Sequence, residues 1–158
     1  FSTRGLVREV IHRFKYNGAE FFRPLLEQWL RGSSQLFARR IDWVVPIPLH
    51  PLKERERGFN QAQQLAEYVA ARLSAPLVTD VIRRVKNTET QTHLSRKQRM
   101  ANMRDAFDIF KKERFSGFGL LVDDVMTTGA TASACAGVLK KAGADAVNVL
   151  TLARGLPV

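Results

Sequence analysis

Apolar side chains recur three or four positions apart in several parts of the chain, which is the pattern of a helix with one buried face. The stretches 6–14 and 21–30 both show this pattern. Asn17 and Gly18, a pair typical of turns, separate them. We therefore expect two amphipathic helices within residues 1–40.

The rest of the chain alternates apolar runs with helical patterns. The run 43–48 starts as a buried strand and contains Pro46 and Pro48, which cannot donate to a sheet, so a rigid loop should follow. Asn60 is placed to cap a helix that runs through Leu73 and ends before Pro76. The later predicted elements are a strand at 78–85, a polar loop at 88–92, a basic helix from Ser95 to about Met103, a strand at 118–122, a helix at 129–142 closed by Gly143, and a strand at 146–152. This strand, helix, strand order predicts an α/β fold with a parallel sheet.

Composition is typical of one compact domain. The chain has 158 residues, 45% of them hydrophobic, and no repeat or linker divides it. Cys135 is the single cysteine, which excludes a disulfide framework and a cysteine-based zinc site within these residues. No apolar run approaches the roughly 20 residues that span a bilayer. We expect a cytoplasmic protein without membrane insertion.

Charge adds a preference for anionic partners. The formal net charge is +10, and basic residues are concentrated between Arg83 and Arg104. A positive net charge attracts phosphates, nucleic acid and acidic membrane surfaces alike, so the charge alone does not identify the partner. A solvated basic surface without a ligand fits as well. His12, His50 and His93 are too scattered to predict a metal site.

The segment 120–132 carries the most specific chemistry. An apolar strand is followed by Asp123 and Asp124, which we expect to emerge together at the end of the strand and to accept from vicinal hydroxyls. A turn of small and hydroxyl-bearing residues then leads into a helix, whose N-terminal N–H groups attract a phosphate. The lysine of a Walker loop is absent. The predicted phosphate-binding residues are Val125, Met126, Thr127, Thr128, Gly129, Ala130 and Thr131.

This segment resembles the signature of type I phosphoribosyltransferases at all thirteen positions. The stretches 14–18, 45–49 and 55–61, together with residues spaced between Thr88 and Phe107, resemble the ComF/GntX branch of competence-associated proteins. The resemblance implies the type I phosphoribosyltransferase fold, with residues 1–40 as a small helical hood and residues 41–158 as the core. That family usually carries an N-terminal zinc ribbon. Because the chain does not open with Met, we expect that the ribbon precedes this sequence.

The resemblance also implies a ligand and a set of roles. The ligand would be 5-phosphoribosyl-1-pyrophosphate (PRPP) or another phosphorylated ribose, with Mg²⁺ held through ligand oxygens. Lys53, Arg55 and Arg57 would meet pyrophosphate, although a polar turn without a ligand is an alternative. The proposed catalytic residues are Asp123, Asp124, Arg55 and Arg99, and the further substrate-binding residues are Lys15, Thr88 and Gln91.

Three functions remain open at this point. The chain is a phosphoribosyltransferase associated with DNA uptake, a single-stranded DNA-handling competence protein, or a non-catalytic PRPP sensor. A positively charged protein fits the DNA alternative if Tyr16, Phe59 or Phe107 is exposed and stacks on bases. The acceptor base or amine is not specified by the sequence.

Overall fold

The computed structural model describes residues 40–86, 105–110 and 115–154, with Pro24, Gln28 and Met103 as isolated helical positions. Apart from these positions, the predicted N-terminal helices lie outside the described residues, as do the predicted loop at 88–92 and the basic helix that starts at Ser95. The elements in chain order are β1 (Trp43–Pro46), α1 (Pro51–Arg57), α2 (Gln61–Leu73), β2 (Ile82–Arg84), β3 (Phe107–Ile109), β4 (Phe118–Met126), α3 (Ala130–Lys141) and β5 (Ala146–Arg154).

A three-stranded parallel sheet forms the centre, with the strand order β1, β4, β5. β2 and β3 form a separate antiparallel pair, in which Arg84 is opposite Phe107. A single parallel bridge from Leu77 to Val44 connects the chain before β2 to the free side of β1. The predicted α/β architecture with a parallel sheet is confirmed.

Two cores cover the two faces of the sheet, because successive strand side chains point to opposite faces. On one face, Leu120 and Val122 of β4 pack against the apolar side of α2. On the other face, Leu121 packs with Cys135 of α3 and with Phe107 of β3. The four residues Leu120, Leu121, Val122 and Cys135 are at most 1% exposed, so β4 is buried on both faces as a central parallel strand should be.

The start of β4 packs closely on β1. Gly119 is opposite Trp43, and a Cβ atom at position 119 would overlap the indole ring. Trp43 Nε1 donates to the Ser116 carbonyl at 2.8 Å, and Phe115 contacts the ring edge-on at a centroid distance of 4.9 Å. Glycine at 119 therefore makes room for the tryptophan.

Helix ends follow the predicted signals. Asn60 Oδ1 accepts from the Ala62 N–H at 3.0 Å and begins α2. Ser74 in the left-handed conformation ends that helix two residues before Pro76. Gly143, with φ +114°, follows α3 as predicted. The described part of the chain contains no helix long and apolar enough to cross a membrane.

Three sequence-based boundaries are wrong. Residues 47–50 form the loop predicted after β1, but the loop is short and leads into helix α1, which the sequence did not predict; Pro51 takes the first helical turn and the His50 side chain caps it. The strand predicted at 78–85 is only Ile82–Arg84, since its ladder partner is the short strand β3, which the sequence pattern did not reveal. The strand predicted to end at residue 122 continues to Met126, because β5 pairs with it as far as Arg154.

Candidate functional site

The candidate site lies where β1 ends beside β4. The ladder between the two strands stops at Pro46 and Val122, and the last bond is from the Ile47 N–H to the Val122 carbonyl at 2.9 Å. Beyond this point β4 is paired with β5 alone among the described strands. No described strand therefore pairs with that side of β4 at the carboxyl edge of the parallel sheet, which is where such folds bind ligands.

Asp123 and Asp124 lie on this extended part of β4 and are both half-buried. The sequence predicted that they emerge together after the strand. Because the strand continues, they instead point to opposite faces of the sheet edge, Asp123 with Leu121 and Asp124 with Val122. Each carboxylate accepts from the next N–H in the chain, at 2.9 Å for Asp123 and 2.7 Å for Asp124. The acid pair therefore straddles the edge of the sheet.

The turn after β4 leads directly into α3. Gly129 has φ +77° and ψ +4°, a left-handed conformation that glycine adopts without strain. Thr128 Oγ1 accepts from the Ala130 N–H at 3.3 Å, and Thr127 is exposed. Gly129, the N-cap residue of α3, has no side chain to cap the helix, and the Thr128 hydroxyl satisfies the N–H of Ala130 alone among the described first-turn bonds. A helix of twelve residues thus presents main-chain donors and partial positive charge beside two carboxylates.

The turn begins two residues later than the first of the predicted phosphate-binding residues, Val125. Val125 and Met126 belong to the β4 ladder, opposite Ala153 and Arg154, so the turn starts at Thr127. Thr131 lies in the first turn of α3, and its hydroxyl makes a long contact of 3.7 Å to the Met103 sulfur. The residues 127–131 therefore form the phosphate-sized part of the site.

Three cations follow β1 on helix α1. Lys53 is half-buried, and Arg55 and Arg57 are exposed. Arg57 Nη1 donates to Gln61 Oε1 at 3.1 Å, which connects the end of α1 to the start of α2. Because β1 and β4 are parallel neighbours, the segments that follow them leave the sheet at the same edge. The structure therefore places the predicted cations and the predicted cradle on adjacent connections.

Arg84 is a charged residue near the acid pair that sequence reasoning did not select. Its guanidinium carbon lies 5.6 Å from the centre of the Phe107 ring, and Arg84 shares the inward face of β2 with Ile82. Burial lowers the pKa of Arg84, and the negative charge of Asp123 opposes that shift. The sequence showed a basic stretch starting at Arg83, but only the pairing with β3 reveals which of the two arginines points inward.

Burial also determines the reactivity of the single cysteine, Cys135. Cys135 is fully buried in α3, and this burial raises the pKa of its thiol, with the Asp123 charge adding to the shift. The thiol is therefore uncharged at neutral pH and is not a nucleophile.

A groove lies elsewhere on the described part of the chain. It encloses about 1030 Å³ between α3 and β3 and contains none of the residues predicted for the site. The residues that line it include Phe107, Val138, Asp105 and Lys141. The edge of the sheet is the stronger candidate site, because it carries carboxylates, hydroxyl groups and a helix N-terminus that can bind a ligand.

Several predicted residues lie outside the described part of the chain, namely Lys15, Thr88, Gln91 and Arg99. Among the residues that are described, no three His, Cys, Asp or Glu side chains are grouped closely enough to hold a metal ion by themselves. The Mg²⁺ expected through ligand oxygens remains a prediction.

Structural comparison identifies the class of fold. A crystal structure of adenine phosphoribosyltransferase matches with a TM-score of 0.55 and 16% identity, covering 87% of this chain and 71% of that one. The Saccharomyces cerevisiae adenine phosphoribosyltransferase, solved with an imino-altritol bisphosphate and adenine, matches with a TM-score of 0.54 and 15% identity, covering 89% and 71%. The chain therefore has the type I phosphoribosyltransferase fold.

Sequence comparison identifies the family within that class. Competence protein F of Haemophilus influenzae is 37% identical over 152 residues, which is 92% of this chain and 66% of that protein. DNA utilization protein YhgH of Salmonella typhimurium is 33% identical over 93% of this chain and 66% of its own length. Competence protein ComFC of Bacillus subtilis is 32% identical over 98% of this chain and 62% of its own length. The chain belongs to this ComF family.

The similarity covers only part of the length of each relative. The chain spans somewhat less than two thirds of the length of these relatives, 66% of competence protein F and 62% of ComFC. No family model matches the chain.

Proposed function

We propose that this chain binds PRPP, or a related phosphorylated ribose, at the carboxyl edge of its parallel sheet, as part of a cytoplasmic protein that serves DNA uptake. The observation that carries the proposal is the α3 N-terminus, whose N-cap residue Gly129 is left-handed, has no side chain to cap the helix and closely follows the acid pair. Fold similarity and the names of the relatives support the choice of ligand and process.

The 5-phosphate would bind over residues 127–131. Main-chain N–H groups at the start of a helix favour a dianion, and the helix dipole adds to the attraction. Hydroxyls of Thr127 and Thr128 are available on the same turn to donate to phosphate oxygens. Gly129 has no side chain and Ala130 has only a methyl group, so the anion can approach the main chain closely.

The ribose would lie against Asp123 and Asp124. Ionised carboxylates accept hydrogen bonds only, so the acid pair at the end of the sheet suits the hydroxyl groups of a ribose. Arg84 would stabilise the ionised form of Asp123 from the inner face of the sheet, since the two groups interact electrostatically.

Pyrophosphate would extend from the sugar toward the segment after β1, where Lys53, Arg55 and Arg57 supply positive charge. Mg²⁺ fits this arrangement, because proteins commonly hold it through one or two carboxylates together with substrate phosphates. When bound, the ion would offset negative charge on the pyrophosphate. The residues of this chain would orient both ends of the ligand, which is the main requirement for transfer at the sugar carbon.

The reaction class would be transfer of a phosphoribosyl group to a base or amine, with pyrophosphate released. A PRPP-binding sensor without turnover uses the same contacts. Release of pyrophosphate in the presence of a panel of bases and amines distinguishes the two.

Single-stranded DNA handling is the second candidate, and the net charge of +10 favours it. Lysine and arginine side chains that neutralise DNA phosphates give an affinity that falls steeply with salt. Titration of a labelled oligonucleotide at two salt concentrations tests this function independently of PRPP.

The decisive experiment is calorimetry of PRPP with Mg²⁺ on the wild type and on the double variant Asp123→Asn, Asp124→Asn. The proposal predicts that the double variant loses PRPP binding, whereas any DNA binding persists. Asp108→Asn is a matched control, because Asp108 also accepts from the next N–H at 2.9 Å but lies on β3. Undiminished PRPP affinity in the double variant would contradict the assignment.

A further inference from the structure

Gln61 is an unusual residue for its position. It is the first residue of α2, and only 2% of its surface is exposed. The other buried residues on α2 are all apolar, namely Ala62, Leu65, Ala66, Val69 and Ala70. A buried amide among apolar residues requires an explanation, because burial of a polar side chain is unfavourable unless its hydrogen bonds are satisfied.

The two ends of the Gln61 amide differ in their contacts. Oε1 accepts from Arg57 Nη1 at 3.1 Å. Nε2 is buried and has no hydrogen-bond partner among the residues described. A guanidinium has donors only, so rotating the amide to satisfy Nε2 would place two donors against each other. The contact with Arg57 therefore fixes the orientation and leaves the buried donor unsatisfied.

The contact joins three elements at the end of β1. Gly58, with φ +79°, ends α1 immediately after Arg57. Asn60 Nδ2 donates to the Ile47 carbonyl at 3.1 Å and so holds the start of α2 against the chain that leaves β1. Gln61 is the next residue, and it ties the exposed Arg57 side chain to this fixed point.

We propose that Gln61 is a positioning residue that holds the Arg57 guanidinium at the mouth of the site for the pyrophosphate group of the ligand. This inference rests on the proposed function above. An apolar side chain would suit the buried position better, and it would leave the long Arg57 side chain without a fixed acceptor. Gln61 thus gives up stability in order to keep a cation oriented for an anion.

The test uses Gln61→Met, which keeps the length of the side chain and removes both polar atoms. Binding of magnesium pyrophosphate is measured by calorimetry, and the unfolding equilibrium constant is measured in urea. Gln63→Met is the matched control, because Gln63 lies on the same helix and donates from Nε2 to Glu67 at 3.1 Å on the exposed surface. Arg57→Gln and the double variant complete a cycle.

The proposal predicts that Gln61→Met weakens pyrophosphate binding by roughly fivefold or more while leaving the protein as stable or more stable. Arg57→Gln should weaken binding by about tenfold, and the double variant should bind no more weakly than Arg57→Gln. Gln63→Met should bind like the wild type. A purely structural glutamine would instead show reduced stability together with reduced binding.

The experiment distinguishes failure of the positioning role from failure of the proposed function. If the wild type binds pyrophosphate and Gln61→Met binds it equally well, the positioning role is wrong and the proposed function stands. A Gln61→Met protein whose unfolding constant rises by about tenfold would also overturn the role. If the wild type binds neither pyrophosphate nor PRPP, the proposed function fails and this inference fails with it.

Discussion

Replacement of Gly129 by alanine tests the turn that starts α3. A Cβ atom at this position would meet only the Met126 sulfur, at 3.7 Å, so the methyl group fits the available space. The cost lies in the backbone, because φ is +77°. An L-residue in this region loses about 1–2 kcal/mol, partly offset by about 0.4–1 kcal/mol from the lower entropy of the unfolded chain. The expected loss is therefore about 1 kcal/mol, or about 2–4 °C in Tm for a chain of this size.

The same substitution should affect the ligand more than the fold. If the alanine relaxes its strained φ, the N–H group of Thr131 rotates away from the phosphate position. Loss of one hydrogen bond to a charged group is worth about 1.5–3 kcal/mol, so ribose 5-phosphate should bind roughly tenfold more weakly or worse. Thermal unfolding and calorimetry measure the two effects on the same protein.

Gly137→Ala is the control for this prediction. Gly137 lies in the middle of α3 in exposed surroundings, with ordinary helical φ and nothing within 4 Å of an added Cβ. Alanine should stabilise that position by about 0.5–1 kcal/mol and leave ligand binding unchanged. If Gly129→Ala were as stable as the wild type and bound ribose 5-phosphate equally well, the left-handed turn would not be required for the cradle.

Three further substitutions or probes test the surrounding fold. Gly119→Ala should destabilise the protein by about 1–3 kcal/mol in urea unfolding, because the added methyl overlaps the Trp43 ring; an unchanged midpoint would contradict this packing. Cys135 should react with a thiol reagent at pH 8 only as fast as the protein unfolds, because burial raises the pKa of its thiol; rapid labelling of the native protein would contradict its burial. A hydrogen bond from the Phe118 N–H lowers the pKa of Asp42, so its ionised form stabilises the fold above its unfolded pKa and that contribution is lost as pH falls. Asp42→Asn should therefore be less stable than the wild type at pH 7, and the gap should narrow below about pH 4; a constant gap would show that the carboxylate charge is unimportant.

Local signals predicted much of the fold. The Asn60 cap and Gly143 were correct because capping chemistry depends on a few neighbouring residues. Burial of β4 on both faces followed from its continuous apolar run. The features that were missed depend on partners distant in sequence. The extension of β4 to Met126 requires pairing with β5, and the shortness of β2 reflects the shortness of β3.

The same distinction applies to the site. The turn at 127–131 could be located from the sequence because its small and hydroxyl-bearing residues are contiguous. The opposite orientation of Asp123 and Asp124 could not, since it depends on where the strand ends. Arg84 and Gln61 were also missed as site residues, because a basic stretch and a helix start do not reveal which side chain is buried or which atom it contacts.

The most direct test of the central claim is an amide ¹H–¹⁵N titration of the protein with ribose 5-phosphate. If the main chain of residues 127–131 binds the phosphate, the largest and saturable shifts should fall on those amides, and the amides of the control segment 137–141 should move little. Saturable shifts confined to another surface, or no shifts at millimolar ligand, would contradict the account.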